Sequence, residues 1–166
     1  MKNLYIVGGT MGVGKTTTCR ILKAKLHNSV FLDGDWCWDM EPFQVTNETK
    51  AMVMDNICHL LNNFIRCSAY DNIIFCWVMH EQAIIDDIIS RLDTRGCSIR
   101  KVSLICSRES LICRLKKDVR AGLRKEDVIE RSLARIPLYY ALNTQKIDVS
   151  NITPEQAAQK IMGICD

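Results

Sequence analysis

The stretch Gly9-Thr10-Met11-Gly12-Val13-Gly14-Lys15-Thr16 matches the phosphate-loop pattern G-x-x-x-x-G-K-[ST] at every defined position. Residues 4–7 before it form a short apolar run that is typical of a buried strand, and residues 17–26 after it favour a helix. The pattern binds phosphate in this strand–loop–helix context. The sequence therefore predicts a phosphate-binding loop, and the alternative is a glycine-rich turn that binds no ligand.

The chemistry of this loop depends on its backbone N–H groups and on two side chains. The glycines allow several N–H groups to point inward, where they hold phosphate oxygens together with the positive end of the following helix. Lys15 would reach the outer phosphates as a point charge, and the Thr16 hydroxyl would ligate Mg²⁺. We therefore expect ATP and Mg²⁺ as cofactors. The predicted nucleotide-binding residues of the loop are Gly9, Met11, Gly12, Val13, Gly14, Lys15, Thr16 and Thr17.

Length and composition predict one globular domain over residues 1–166. Hydrophobic residues make up 48% and charged residues 25%, as is ordinary for a soluble protein. The net charge of +3 is not gathered into a dense basic run, and it suits an anionic small ligand as well as nucleic acid. No apolar run approaches the roughly 18 residues that span a bilayer, and the first one is too short for a signal peptide. We expect a cytoplasmic protein without nucleic-acid or membrane partners.

The nine cysteines predict a reducing environment. Their number is odd, no C-x-x-C pair occurs, and several lie in apolar runs, as Cys76 does. We expect reduced thiols in the core, because a zinc site would need closer spacing. The cysteines are Cys19, Cys37, Cys58, Cys67, Cys76, Cys97, Cys106, Cys113 and Cys165.

Five predicted strands alternate with helices along the chain. The predicted strands are residues 3–7, 29–32, 72–78, 100–106 and 146–149, and the predicted helices are residues 15–26, 48–69, 81–94, 108–119, 125–134 or on to 142, and a last one from Pro154. This order predicts an α/β fold, a three-layer doubly wound domain of the P-loop NTPase type with a five-stranded, mainly parallel sheet. Parallel strands would bring the phosphate loop, Asp33, Asp35, residues 79–81 and Ser107 to one edge.

The segment Asp33-Gly34-Asp35 follows the second predicted strand and offers two carboxylates. One could accept the proton of an attacking hydroxyl, and the other could hold a water on Mg²⁺. The alternative is an ordinary turn, because Asp and Gly are common turn residues. The phosphate loop upstream favours the catalytic interpretation.

The stretch Phe31-Leu32-Asp33-Gly34-Asp35, a short way after GxxxxGKT, resembles the small P-loop kinases. These include shikimate, gluconate and adenylylsulfate kinases and chloramphenicol phosphotransferases. The resemblance implies transfer of the γ-phosphate of ATP to a hydroxyl or phosphate of a small molecule. It implies Asp35 as the catalytic base or acceptor ligand, Asp33 as its partner near the metal, and Lys15 as a catalytic residue.

A second resemblance, to the lid region of nucleoside monophosphate kinases, lies further along the chain. There R-x-D-D is followed by R-L-x-x-Y and I-D; here Arg124-Lys125-Glu126-Asp127 is a looser match, followed by Arg135-Ile136-Pro137-Leu138-Tyr139 and Ile147-Asp148. The resemblance implies a short helical lid over about residues 114–136. The roles that it implies are catalytic for Arg120 and Arg124, which neutralise the transferred group, and nucleotide-binding for Arg114 and Arg135. The alternative is a solvated basic helix pair that makes surface ion pairs.

Two departures from these families limit the resemblance. The monophosphate-kinase signature after the first helix is absent, and residues 73–78 end without the aspartate of a standard Walker B strand. The second departure disfavours a motor-type ATPase, since the Asp33–Asp35 segment can take over that role in the small kinases.

The acceptor is predicted to be a small molecule or a nucleotide that meets Asp35, Trp36, Trp77 and His80. Aromatic walls with one or two polar groups suit a ring-shaped ligand, although each aromatic alone is more often a core residue. The leading hypothesis is a small-molecule kinase. A nucleoside or nucleotide kinase and an ATP-binding module or switch without transfer stay open as alternatives. The quaternary structure is expected to be a monomer or a homodimer.

Overall fold

The computed structural model describes residues 1–164, and its five strands form one sheet. The strands are β1 (Lys2–Gly8), β2 (Ser29–Asp33), β3 (Asn72–Trp77), β4 (Cys97–Ile105) and β5 (Gln145–Asp148). They lie in the order β2-β3-β1-β4-β5, and each pair of neighbours is parallel. The carboxyl ends of all five strands therefore meet at one edge of the sheet, where the phosphate loop follows β1.

Helices cover both faces of this sheet. They are α1 (Lys15–Lys25), α2 (Asn47–Arg66), α3 (Gln82–Ser90), α4 (Arg108–Arg120), α5 (Val128–Tyr140) and α6 (Pro154–Met162), with a short 3-10 helix at Gly34–Trp38. Alternate residues of β1 pack into two separate cores: Tyr5 and Val7 into one with α1, α4 and α6, and Leu4 and Ile6 into the other with α2 and α3. The predicted three-layer α/β fold with a parallel sheet is confirmed.

The element boundaries differ from expectation by up to four residues; α2 ends at Arg66 rather than at residue 69, and α5 starts at Val128 rather than at residue 125. Helix α3 ends at Ser90 rather than at residue 94, because the backbone turns over Leu92 and Thr94. Strand β4 starts at Cys97 rather than at residue 100, because Cys97 already pairs with Lys2 of the neighbouring strand β1. Helix α5 continues through Pro137 to Tyr140, which is close to the longer of the two predicted ends.

Three further features bear on the sequence predictions. Within residues 1–164, no helix is long and apolar enough to cross a bilayer. The eight cysteines of this part of the chain form no disulfide, and Cys165 lies outside it. The described residues also contain no group of three or more His, Cys, Asp or Glu side chains placed to hold a metal ion.

Candidate active site

The phosphate loop joins β1 to α1, and its backbone adopts conformations that require glycine. Gly12 has φ of +80°, and a Cβ there would lie 2.4 Å from Cδ2 of Leu115 on α4. Gly14, at φ of +103°, precedes α1, so no side-chain cap covers the first N–H groups of this helix. Those N–H groups have no acceptor within the helix. The loop is thus held against α4 with a helix N-terminus open to an anion.

Lys15 lies buried in the loop, with 8% of its surface exposed. Its Nζ donates a hydrogen bond to the backbone carbonyl of Thr10 at 3.0 Å. Desolvation lowers the pKa of Lys15, while the fields of Cys76, Asp35 and Asp33 oppose that shift. Within residues 1–164 no carboxylate forms an ion pair with it, so its charge is available to a bound phosphate.

Asp33 links the start of α1 to the end of β2. Its Oδ2 accepts a hydrogen bond from Thr16 Oγ1 at 2.6 Å, and its Oδ1 accepts one from the backbone N–H of Asp35 at 3.1 Å. The carboxylate is buried, at 4% exposure. A hydroxyl and a carboxylate oxygen side by side are hard ligands of the kind that Mg²⁺ takes, together with substrate phosphates and waters. Thr16 and Asp33 therefore fit a magnesium ion.

Asp35 is more open than Asp33, and it lies near Trp77. The indole of Trp77, at the end of β3, acts to lower the pKa of the Asp35 carboxyl. Desolvation and the charge of Asp33 raise the pKa of the Asp35 carboxyl, and Lys15, Arg124 and the Trp77 indole act against this. The two carboxylates thus differ: one is fully engaged in hydrogen bonds, and the other is free to exchange a proton.

Gly34 allows Trp77 to approach Asp35. A Cβ at Gly34 would lie 2.5 Å from Cγ of Trp77, closer than real Cβ contacts. We expect Gly34→Ala to destabilise the fold by about 1–3 kcal/mol, the range for overpacking, and to lower turnover by displacing the indole. Urea unfolding measures the first effect and steady-state kinetics the second.

The control for that substitution is Gly163→Ala. A Cβ at Gly163 would meet its nearest neighbour at 3.7 Å, an ordinary contact, and we expect a change within about 0.5 kcal/mol. Equal unfolding curves for the two variants would contradict the role given to Gly34.

A cleft of about 300 Å³ brings together the phosphate loop, Asp35 and the end of α4. Its walls carry three cations and two carboxylates besides the loop backbone. Arg124 Nε donates to Asp118 Oδ2 at 3.0 Å. The residues that line the cleft are Met11, Gly12, Gly14, Lys15, Thr16, Thr17, Asp35, Arg114, Asp118 and Arg124.

A second, apolar cavity of about 190 Å³ adjoins the loop on the side of α6. It shares Gly14, Thr17 and Arg114 with the cleft, and its other walls include Val149 and Pro154. Arg114 bridges the two sides of this cavity: Nη1 donates to the carbonyl of Val13 at 2.8 Å, and Nη2 to that of Val149 at 2.5 Å. The guanidinium therefore fixes the loop relative to the segment after β5.

Several residues predicted for the site lie outside these two cavities. Arg120 is exposed at the end of α4, and Trp36 is 49% exposed, with its ring edge-on to Phe31 at 5.3 Å. His80 follows β3, where burial and the field of Arg135 lower its pKa. Gly9, the first residue of the loop, lines neither cavity, and neither does Ser107, which caps α4 and is predicted only to lie at this edge of the sheet. The proposed roles of these residues, and of residues 114–136 as a lid, stay predictions.

Sequence reasoning did not single out three residues that shape the site. Asp118 lines the cleft and holds Arg124, yet it looks like any acidic residue on a solvated helix. Gly34 lies within the Asp33-Gly34-Asp35 segment, but its contact with Trp77 depends on the pairing of β2 with β3. The buried Thr10 hydroxyl donates to the carbonyl of Ser132 at 2.9 Å and so ties the loop to α5. The contacts of Gly34 and Thr10 join segments far apart in the chain, which leaves no local signal.

Comparison with known proteins gives a family and a fold. The profile of the AAA domain family matches residues 6–134 of the chain. No curated protein sequence matches it. The fold is that of several solved kinase structures, which supports the resemblance to small P-loop kinases.

Three solved structures that share the fold are the following. Shikimate kinase from Acinetobacter baumannii, in complex with shikimate, aligns with a TM-score of 0.61 and 23% identity over 98% of this chain and 91% of that chain. A gluconokinase from Sinorhizobium meliloti 1021 aligns with a TM-score of 0.68 and 15% identity over 96% of this chain and 89% of that chain. The tunicamycin resistance protein of Deinococcus radiodurans aligns with a TM-score of 0.66 and 18% identity over 97% of this chain and 93% of that chain.

Proposed function

This chain belongs to the AAA domain family, and from that premise we propose that it is a phosphotransferase that moves the γ-phosphate of ATP to a small molecule. One observation carries the proposal: Asp35 lines the same cleft as Lys15 and Thr16. A loop that only bound nucleotide would need no free carboxylate beside the terminal phosphate. The fold shared with structures named shikimate kinase and gluconokinase supports transfer to a small acceptor.

The loop side of the cleft is suited to the triphosphate. The N–H groups of the loop and of the first turn of α1 would bind the β- and γ-phosphates, and Lys15 would add a positive charge. Thr16 and Asp33 would hold Mg²⁺, which, when bound, neutralises charge on the phosphate oxygens. The apolar cavity beside Arg114 and Val149 has room for part of the base. We propose that Arg114 holds the walls of this cavity in place through its two carbonyl bonds.

Asp35 is suited to act as the base. The acceptor hydroxyl oxygen would bond to the γ-phosphorus while the bond from that phosphorus to the β,γ-bridging oxygen breaks, and ADP leaves. The hydroxyl proton passes to the Asp35 carboxylate and then to solvent. Arg124 already lies in the cleft, and we propose that it leaves Asp118 to bind the oxygens of the transferred group.

The raised pKa of Asp35 predicts the pH dependence of this reaction. A base must be deprotonated, so kcat/KM should fall as the pH falls through the Asp35 pKa, and this acid limb should lie above the pKa of an ordinary aspartate. A pH profile of kcat/KM measures it, because that ratio reports groups of the free enzyme. A profile in which Asp35→Asn keeps the same limb would assign it to another group.

Detection of a phosphorylated product tests the proposal directly. The protein is incubated with ATP, Mg²⁺ and a metabolite extract, and products are sought by mass spectrometry as compounds that gain one phosphoryl group. Lys15→Ala serves as the inactive control. Tight ATP binding without any such product would instead favour a nucleotide-binding module.

A further inference from the structure

The segment of residues 28–49, which we call the acceptor-side segment, contains no Lys, Arg or His. It carries five carboxylates: Asp33, Asp35, Asp39, Glu41 and Glu48. Within residues 1–164 none of them forms an ion pair. The segment begins with β2 and includes the 3-10 helix that presents Asp35 to the cleft.

The cations of the cleft lie on the other side. Lys15, Arg114 and Arg124 line it together with the phosphate loop, where the triphosphate would bind. Asp118 also lines this side and pairs with Arg124, and the net charge of the site is still positive toward the donor and negative toward the acceptor. An anionic group that entered beside Asp33 and Asp35 would be repelled, and repulsion between like charges grows as water is excluded.

The end of β3 adds a neutral polar group to the acceptor side. His80 Nδ1 is buried and has no hydrogen-bond partner among the described residues, and Nε2 lies 3.5 Å from Glu81 Oε1. A neutral imidazole offers one donor and one acceptor, which matches a hydroxyl rather than a phosphate. Arg135 is the cation whose field reaches His80, and the Glu81 carboxylate opposes it.

Two aromatic side chains of the acceptor-side segment are open to a ligand. Trp36, next to Asp35, is 49% exposed, and Phe43 is 65% exposed. Each of these rings packs on a neighbour. The ring centroids of Phe31 and Trp36 lie 5.3 Å apart, and those of Trp38 and Phe43 lie 5.7 Å apart. Exposed aromatic faces of this kind stack on ring-shaped ligands.

Resting on the phosphotransferase function proposed above, we infer that the acceptor is a ring-bearing alcohol that carries no phosphate or carboxylate group. Its hydroxyl would point to Asp35, its ring would stack on Trp36, and a second polar group would meet His80. Such an acceptor differs from nucleotides and from sugar acids, which carry a phosphate or a carboxylate group. Among nucleoside-like acceptors it favours the nucleoside over the monophosphate.

Matched pairs of acceptors test the charge preference. Each pair shares one ring skeleton with and without an anionic group, as in a nucleoside and its 5′-monophosphate or a sugar and its uronic acid. The same assay is run on a metabolite extract, with product masses used to identify each acceptor. We expect kcat/KM to be at least about tenfold higher for the uncharged member, a difference of about 1.4 kcal/mol in transition-state binding. In the extract, we expect the compounds that become phosphorylated to carry no phosphate or carboxylate group beforehand.

The outcomes separate this inference from the function on which it rests. Transfer mainly to anionic acceptors, in the pairs or in the extract, would overturn the inference and leave the kinase function standing. No transfer to any compound would overturn both.

A charge variant adds a second measurement. Trp36→Arg places a guanidinium on the exposed acceptor side, and we expect it to lower the preference for uncharged acceptors at least tenfold while KM for ATP stays the same. Trp36→Phe keeps a ring without charge and should keep the preference. An unchanged preference in Trp36→Arg would show that the acceptor does not pass this side chain, against the inference.

Discussion

Lys15→Ala should abolish phosphotransfer and leave the fold intact. Lys15 is the buried cation of the loop, and within residues 1–164 its Nζ donates one hydrogen bond, to the Thr10 carbonyl. In the transition state negative charge is spread over the oxygens of the transferred group and of the leaving ADP, and the positive charge of Lys15 would stabilise it. Loss of one such donor lowers kcat by about 100- to 1000-fold in other enzymes. Product formation at saturating ATP and acceptor measures the effect.

The variant is expected to fold because the buried Asp33 carboxylate keeps its hydrogen bonds from the Thr16 hydroxyl and the Asp35 amide. Among the described residues the removed amine donates only to the Thr10 carbonyl, and α1 still starts after Gly14. Circular dichroism and cooperative thermal unfolding check this. Lys25→Ala, an exposed lysine in the last turn of the same helix, is the matched control and should keep full activity. Comparable turnover in both variants would remove Lys15 from the mechanism.

Asp35→Asn should lower turnover by about 100- to 10,000-fold, the contribution usually found for a positioned general base. The amide keeps the shape of the carboxylate but cannot take up a proton. ATP affinity should change little, because the contacts proposed for the triphosphate come from the loop, Lys15 and Thr16. Steady-state kinetics gives kcat, and calorimetric titration with a non-hydrolysable ATP analogue gives the affinity.

Asp55→Asn is the control for this change, since Asp55 is exposed on α2 and lines neither cavity. It should match the unsubstituted protein in both measurements. If Asp35→Asn turned over as fast as Asp55→Asn, the base would have to be another group, and Asp33 is the nearest carboxylate. If ATP affinity fell together with kcat in Asp35→Asn, the carboxylate would act on the donor side instead.

The sequence predicted those parts of the molecule that have local or periodic causes. The loop pattern, the apolar strand of residues 72–78 and the helix N-terminus at Pro154 each follow from neighbouring residues, and the structure contains all three elements. The position of Asp35 in the cleft followed from one topological rule, that parallel strands end at one edge.

The remaining contacts of the site could not be predicted because they join distant segments at atomic range. Arg114 contacts the carbonyls of Val13 and Val149, 101 and 35 residues away in sequence. No pattern in one sequence indicates which backbone carbonyls an arginine will meet. Likewise, the depth at which Trp77 packs on Gly34 depends on the register of β2 against β3.

The two hydrogen bonds of Asp33 have a thermodynamic consequence. One oxygen receives the Thr16 hydroxyl on the donor side, and the other receives the Asp35 amide on the acceptor side. A nucleotide and metal that shift Thr16 therefore also shift the backbone that presents the base. Donor and acceptor should then bind cooperatively, each changing the dissociation constant of the other by one common factor, as linkage requires. In such an enzyme, water alone would be a poor acceptor, because the acceptor itself would help to assemble the site.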